Sequence, residues 1–204
     1  MDTLQIVYLF MMAAVFVSAG AGVIEAGNKH IDLFGVILVG IVSALGGGTT
    51  RDILLDRTVF WVNDPLYLLP AIIGAVATFL LARKLHIPSR WFVIPDALAM
   101  ALFTIAATSL ALELGHHWVI AAIMGVVTGV MGGVIRDVIL NEVPLVFAGT
   151  FYATASALGA LLFVLSQALA LPIFASSLLC GSLIFALRSA ALKWNWGLPK
   201  GIYR

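Results

Sequence analysis

Seven apolar segments, each long enough to cross a lipid bilayer, follow one another along the 204-residue chain. A spanning helix needs about 20 mostly apolar residues. The segments cover approximately residues 4–24, 33–55, 66–82, 91–112, 118–140, 147–168 and 173–192. The alternating pattern of a barrel strand is absent, and a helix satisfies its backbone hydrogen bonds internally. The segments therefore predict an all-α integral membrane protein with seven transmembrane helices.

The composition excludes several other classes of protein. Hydrophobic residues make up 62% of the chain and charged residues 10%, whereas soluble domains carry about 25% charged residues. A soluble enzyme and a disordered chain are excluded, and a net charge of +1 offers no basic face for nucleic acid. The single cysteine, Cys180, excludes an internal disulfide. Since no catalytic or metal-binding signature is visible, we predict neither an enzyme nor a cofactor.

The basic residues between the segments predict how the chain is oriented. The first segment lacks the positive flank of a signal peptide, so we expect it to be retained. With the N-terminus outside, seven basic residues fall inside and only Arg57 outside, not counting Arg51 and Arg136 within apolar segments. The inside residues are Lys29, Arg83, Lys84, Arg90, Lys193, Lys200 and Arg204. We therefore predict a multi-pass plasma-membrane protein with a cytoplasmic C-terminus.

A motif of glycines followed by Arg-Asp occurs twice, at an offset of 85 residues. Residues 47–55 read GGTTRDILL and residues 132–140 read GGVIRDVIL. The same offset pairs Gly40 with Gly125 and Ser43 with Thr128. Each copy holds three spans, an odd number, so the second copy must be inverted in the membrane. The predicted organisation is a first repeat at about 4–84, a second at about 91–169 and an added seventh helix at about 173–193.

The glycines inside spans two and five have two interpretations. Small residues allow close helix packing in membranes. Alternatively, a break at the glycines divides each span into half-helices and frees carbonyl oxygens, which are tolerated only in a cavity or inside protein. Because the glycines recur before each Arg-Asp pair, we favour a cation pathway lined by freed carbonyls and nearby hydroxyls. The candidate pathway residues are Ser43, Gly46, Gly47, Gly48, Thr49, Thr50, Arg51, Asp52, Thr128, Gly132, Gly133, Arg136 and Asp137.

The charges within the spans must face protein or water rather than lipid. One interpretation is structural, with Arg51 paired to Asp137 and Arg136 to Asp52, which locks the repeats together. The other is functional, with carboxylates attracting cations and arginines forming a gate. Asp96 is a further candidate interior charge, which either caps the fourth span or pairs with an arginine.

These motifs resemble those of the prokaryotic TRIC family, relatives of the trimeric intracellular cation channels, and the resemblance covers nearly the whole chain. It implies a homotrimer in membrane lipid, with one pore per protomer, lined by glycine-kinked helices two and five and permeable to potassium or sodium ions. The second motif has Met131 where a third glycine would match the first. The Lys-Glu-Val element of animal members is not evident, so lipid regulation is not carried over.

Three functions remain open on the sequence. We favour a passive channel for monovalent cations, chiefly potassium, because few charged groups are available for proton coupling. The main alternative is a secondary transporter of a small amino acid such as glycine, since some family members are suspected of that activity. The third is a structural membrane protein without a pathway.

Overall fold

The computed structural model describes residues 3–27, 29, 31–86, 88–147, 151–194 and 196–197. Within these ranges the chain forms eight α-helices joined by short connections. The helices are α1 (Thr3–Ala26), α2 (Leu33–Leu54), α3 (Phe60–Asn63), α4 (Leu68–Leu85), α5 (Val93–Glu113), α6 (Trp118–Ile139), α7 (Ala153–Ala168) and α8 (Ile173–Trp194). Three 3₁₀ turns precede α4, α5 and α7, at Pro65–Tyr67, Ser89–Phe92 and Leu145–Phe147.

The helices have the length and the surface of a membrane protein, which confirms the predicted all-α membrane fold. Six of them are long and apolar enough to cross a bilayer. Large apolar side chains face outwards, among them Phe34, Leu80 and Leu179, which are 73%, 60% and 69% exposed. Such a surface is stable in lipid and not in water.

The count of seven spans stays a prediction, because α7 is shorter than the other long helices. Its 16 residues form about 24 Å of helix, and a hydrocarbon core is about 30 Å thick. Residues 148–150, before α7, lie outside the described residues. Two basic residues used to orient the chain, Lys200 and Arg204, lie outside them as well.

The two repeats pack in the same way and run in opposite directions. Helix α1 lies against α2, and α5 lies against α6. A Cβ atom on Gly40 would lie 2.8 Å from the Ala19 carbonyl oxygen, and one on Gly125 would lie 2.9 Å from the Thr104 carbonyl oxygen. Both pairs of positions are 85 residues apart, so the repeated sequence encodes a repeated helix contact. The repeats then associate through α1 with α5 and α2 with α6.

Helix α8 makes the two repeats unequal. In the first repeat, Gly74 of α4 abuts the backbone of Phe16 in α1. Its equivalent in the second repeat, Gly159 of α7, abuts Ile184 of α8 instead. Helix α8 packs against both α5 and α7 and buries Arg188, whose guanidinium lies 4.6 Å from the centre of the Tyr152 ring. The added helix is therefore part of the core of the second repeat.

The predicted division of spans two and five into half-helices is wrong. Helix α2 runs without interruption through Gly46, Gly47 and Gly48, and α6 does so through Gly132 and Gly133. A glycine costs only about 1 kcal/mol relative to alanine within a helix. Packing against neighbouring helices offsets that cost, so the backbone hydrogen bonds continue.

Candidate functional site

Helices α2 and α6 cross in direct backbone contact at the repeated glycines. A Cβ atom on Gly47 would overlap the Thr128 carbonyl oxygen, and one on Gly132 would overlap the Ser43 carbonyl oxygen. The two contacts are images of each other under the 85-residue offset. From Ser43 to Gly47 along α2, the contacted residue of α6 changes from Gly132 back to Thr128, so the two helices are antiparallel. The predicted packing role of the glycines is therefore present in the structure.

The other glycines of the motifs admit aromatic or aliphatic side chains from neighbouring segments. A Cβ atom on Gly48 would lie 2.5 Å from Phe60 Cε1, and one on Gly46 would lie 2.8 Å from Ile135 Cδ1. On Gly133 it would lie 3.0 Å from the Tyr152 hydroxyl oxygen. Each glycine thus leaves space for a specific neighbour.

Hydroxyl groups surround the crossing, and most of them bond to their own helix. Thr49, Thr50 and Thr128 donate to carbonyl oxygens four residues earlier, at 2.8, 2.8 and 2.7 Å. The Thr49 hydroxyl also accepts from Trp61 Nε1 at 3.0 Å. Ser43 differs, because its buried Oγ has no hydrogen-bond partner in the part of the chain that the structure describes. The Ser43 carbonyl lies at the crossing, whereas its side chain packs beside Gly22 of α1.

Each Arg-Asp motif closes on itself at the C-terminal end of its helix. Arg51 Nε donates to Asp52 Oδ1 at 2.9 Å, and Arg136 Nε donates to Asp137 Oδ1 at 2.8 Å. The second oxygen of each carboxylate accepts from a backbone N–H eight residues later, that of Phe60 at 2.8 Å or that of Leu145 at 3.0 Å. The carboxylates therefore neutralise the arginines and also fix the chain that returns to the helix.

The turns after the two motifs are also repeated. The Asp52 carbonyl accepts from Arg57 N, and the Asp137 carbonyl accepts from Glu142 N, both at 2.8 Å. The residues before those donors, Asp56 and Asn141, have φ angles of 50° and 55°. Aspartate and asparagine tolerate this left-handed conformation better than most residues do.

The prediction that the arginines pair across the repeats is wrong. In the antiparallel crossing Gly47 lies level with Thr128 and Ser43 with Gly132. Four residues further along this register, Val39 of α2 lies level with Arg136. Arg51 lies 12 residues further along the same helix, about 18 Å away. Each motif lies near the C-terminal end of its helix. In antiparallel helices these ends lie on opposite sides of the crossing, so the motifs are too far apart for an ion pair.

The second motif holds an additional carboxylate. Arg136 Nη1 donates to Asp96 Oδ1 at 2.7 Å, and the Tyr152 hydroxyl donates to Asp96 Oδ2 at 3.1 Å. The guanidinium also lies 4.9 Å from the centre of the Phe92 ring. Asp96 is buried, and it pairs with an arginine rather than capping α5, whose N-cap residue Phe92 makes no side-chain capping bond.

The first motif lacks this carboxylate. The position 85 residues before Asp96 is Met11, so Arg51 pairs with Asp52 alone among the described residues. The second cluster therefore has a carboxylate that the first lacks, and it also has the buried guanidinium of Arg188 close by, against the Tyr152 ring.

Sequence reasoning missed the aromatic residues of these clusters and one ion pair. Tyr152 and its equivalent Tyr67 are both buried near the motifs, and applying the 85-residue offset beyond the glycine motifs would have paired them. Lys29, between α1 and α2, forms an ion pair with Glu142, between α6 and α7. Neither residue belongs to a motif, so no local signal marks this contact.

Comparisons with known proteins identify related membrane proteins over nearly the whole chain. A family model described as Glycine transporter matches the chain twice, at residues 8–83 and 93–168. The UPF0126 inner membrane protein YadS of Escherichia coli is 35% identical over 198 residues, which are 96% of each chain. A UPF0126 membrane protein of Vibrio cholerae is 38% identical, over 98% of this chain and 84% of the relative.

A solved structure shares the fold as well. It is that of the TRIC trimeric intracellular cation channel orthologue from Rhodobacter sphaeroides. The TM-score is 0.87 at 36% identity, over 94% of this chain and 100% of that one.

The crossing predicts that alanine is harmful at Gly47. The added methyl group would meet a backbone carbonyl that has no rotamer through which to move away. We expect Gly47→Ala to lower the free energy of unfolding by about 1–3 kcal/mol, measured by tryptophan fluorescence during titration with SDS in mixed micelles.

Gly181→Ala is the matched control for that substitution. The nearest atom to its Cβ would be Ile105 Cγ1 at 3.8 Å, so alanine is expected to be neutral or to stabilise α8 by up to about 1 kcal/mol. Equal stability of the two variants would contradict the proposed backbone contact.

The Asp96 cluster generates a second prediction. Asp96→Asn removes a buried charge partner of Arg136 and is expected to lower the free energy of unfolding by about 3–5 kcal/mol. Glu113→Gln, at the exposed end of the same helix, is the control and should change it by about 0.5 kcal/mol or less. An Asp96→Asn protein as stable as this control would show that the pair contributes nothing to the fold.

Proposed function

The chain belongs to the prokaryotic TRIC family, which the glycine transporter model describes, and from this premise we propose that it is a channel for monovalent cations, chiefly potassium. One observation carries the proposal. The chain has the fold of a bacterial orthologue named as a trimeric intracellular cation channel, over the full length of that protein and at 36% identity. A conduction pathway formed by the fold itself is therefore expected to be common to both.

The proposed path passes through the α2–α6 crossing. Potassium is conducted where protein oxygens replace its hydration shell, and oxygens are concentrated at the crossing. Those at the contact itself are the backbone carbonyls of Ser43 and Thr128, and the same two residues also carry buried hydroxyl groups. Ser43 Oγ is the oxygen most available to an ion, since it has no other partner in the described chain.

The crossing also supplies a gate in this proposal. At Gly47 and Gly132 the helices meet through backbone atoms, so separation of α2 and α6 there requires the Ile135 side chain to leave Gly46 but no interlocked side chains at the two glycines themselves. Separation of a few ångströms would admit a partly dehydrated ion. In the described conformation the helices are in contact, which corresponds to a closed pathway.

The two charged motifs lie on opposite sides of the crossing. Arg51 and Asp52 balance each other. In the second cluster the carboxylates of Asp96 and Asp137 are balanced by Arg136 and by the buried guanidinium of Arg188, which lies against Tyr152.

The same premise extends to assembly and location. We propose a homotrimer in the plasma membrane of a prokaryote, with the N-terminus outside, the C-terminus in the cytoplasm and one pore in each protomer. Its ligands are membrane lipids and the permeant potassium or sodium ion. No catalytic step and no nucleic acid belongs to this function.

A second candidate function is transport of a small amino acid. The description of the family model, Glycine transporter, favours it. This function would use the same inverted repeats, with alternating access in place of continuous conduction.

Recordings from purified protein in planar bilayers distinguish these functions. A channel gives discrete unitary currents with a reversal potential that follows the potassium gradient. Silent bilayers, together with saturable uptake of radiolabelled glycine into liposomes made from the same preparation, would refute the channel in favour of the transporter.

A variant at the crossing tests the path itself. Ser43→Ala removes the unpartnered hydroxyl, so we expect unitary potassium conductance to fall by about twofold or more, with assembly unchanged. Ser176→Ala removes another buried hydroxyl without a described partner, in α8, and should conduct as the unmodified protein does. Equal conductance of both variants would place the path elsewhere.

A further inference from the structure

A cavity of about 460 Å³ lies at the Arg51 end of the first repeat. Its walls come from α1, from the end of α2 and from the segment that includes α3 and the following 3₁₀ turn. Tyr8, Met11, Arg51, Asp64 and Tyr67 are among the residues that line it. With Asp52 and Arg57, which also line it, the cavity combines two guanidinium groups, two carboxylates and two phenol groups in a space large enough for a small organic molecule.

One donor in the wall of this cavity is unsatisfied. Arg51 is 1% exposed, and its Nε and Nη2 atoms are held by Asp52. Arg51 Nη1 is buried and has no hydrogen-bond partner among the residues described. Leaving a charged donor buried and unpartnered is costly, so an acceptor from outside the chain would be bound favourably.

The second repeat shows which acceptor fits this geometry. There, the Asp96 carboxylate lies between Arg136 Nη1 and the Tyr152 hydroxyl, at 2.7 and 3.1 Å. The equivalent residues of the first repeat are Arg51 and Tyr67, and both line the cavity. Where the second repeat has the carboxylate of Asp96, the first has the thioether of Met11. The first repeat thus retains the two donors and lacks the group that they hold.

We propose that this cavity binds a small free carboxylate beside Met11, held by the two donors that are equivalent to those holding Asp96 in the second repeat. Arg51 Nη1 and the Tyr67 hydroxyl donate to its two oxygens. A charge-assisted pair of hydrogen bonds of this kind is stronger than one between neutral groups. The proposal rests on the repeat and the cavity, and it does not depend on whether the protein conducts ions.

The carboxylate of Asp64 favours amino acids among the small carboxylates that the cavity would bind. It lines the same cavity, where its carboxylate accepts from Leu66 N at 3.0 Å and from the Tyr8 hydroxyl, and its negative charge attracts a ligand ammonium group. Acetate offers the carboxylate alone, whereas glycine offers both charged groups. The carboxylate is the shared requirement, and a tighter fit for glycine would mark the ammonium contact.

Direct binding to the purified full-length protein tests the proposal. Radiolabelled acetate and glycine are each titrated onto protein in detergent at constant ionic strength, and binding is followed by scintillation proximity. We expect saturable binding of at least one, competed by the other and not by methylammonium, which lacks a carboxylate. Absence of saturable binding of both, or stronger competition by inorganic phosphate than by either carboxylate, would overturn the proposal.

Met11→Asp is the decisive variant, because it gives the first repeat the carboxylate that the second already has. The new side chain would occupy the donors itself, so affinity is expected to fall by about tenfold or more. Met11→Leu keeps an apolar side chain of similar volume and is the matched control, with affinity within about twofold of the unmodified protein. Equal affinities of the two variants would refute the assignment.

A second pair of variants serves if Met11→Asp does not fold. Tyr67→Phe removes one proposed donor and is expected to weaken binding by about threefold or more. Tyr152→Phe removes the equivalent hydroxyl from the second repeat and should leave binding unchanged. Unchanged affinity in Tyr67→Phe would show that the ligand is held elsewhere. Since the assay measures binding alone, a protein that binds acetate and passes no current would refute the channel and not this site.

Discussion

Contact between the backbones of α2 and α6 is the constraint on which the rest of the structure depends. Gly47 lies on the Thr128 carbonyl, and Gly132 lies on the Ser43 carbonyl. Without a side chain at either glycine, two long helices from opposite repeats approach as closely as helices can. This approach buries the backbone carbonyls of Ser43 and Thr128 between the two helices, far from either end.

Burial of the four charges of the Arg-Asp motifs is made possible by pairing within each motif. Arg51 and Arg136 are each bound by the aspartate that follows in sequence, and each aspartate also accepts a backbone N–H from the returning chain. The charges therefore order the connections at the two ends of the crossing. Because the pairing is local, the repeats are free to differ elsewhere, and they differ where Met11 replaces an aspartate.

Much of the fold was predictable because hydropathy and helix length are local properties. The segments predicted at 33–55, 118–140 and 173–192 agree closely with Leu33–Leu54, Trp118–Ile139 and Ile173–Trp194. The sixth segment fails at its N-terminal end, since the chain at Leu145–Phe147 is a 3₁₀ turn before α7 begins at Ala153. An apolar composition is shared by a helix and by an apolar turn at its end, so composition alone does not mark that boundary.

The sequence by itself determined that this is a helical membrane protein, that it contains two inverted copies of one unit, and that the glycine and Arg-Asp motifs are equivalent. Apolar runs and an exact offset are properties of the chain read in one dimension. Only the tertiary structure decided that the glycines pack without breaking their helices, that each arginine binds its own neighbour, and that Asp96 completes one cluster while Arg51 faces a cavity. Those outcomes depend on the antiparallel crossing of α2 and α6, which fixes distances between side chains that no sequence spacing specifies.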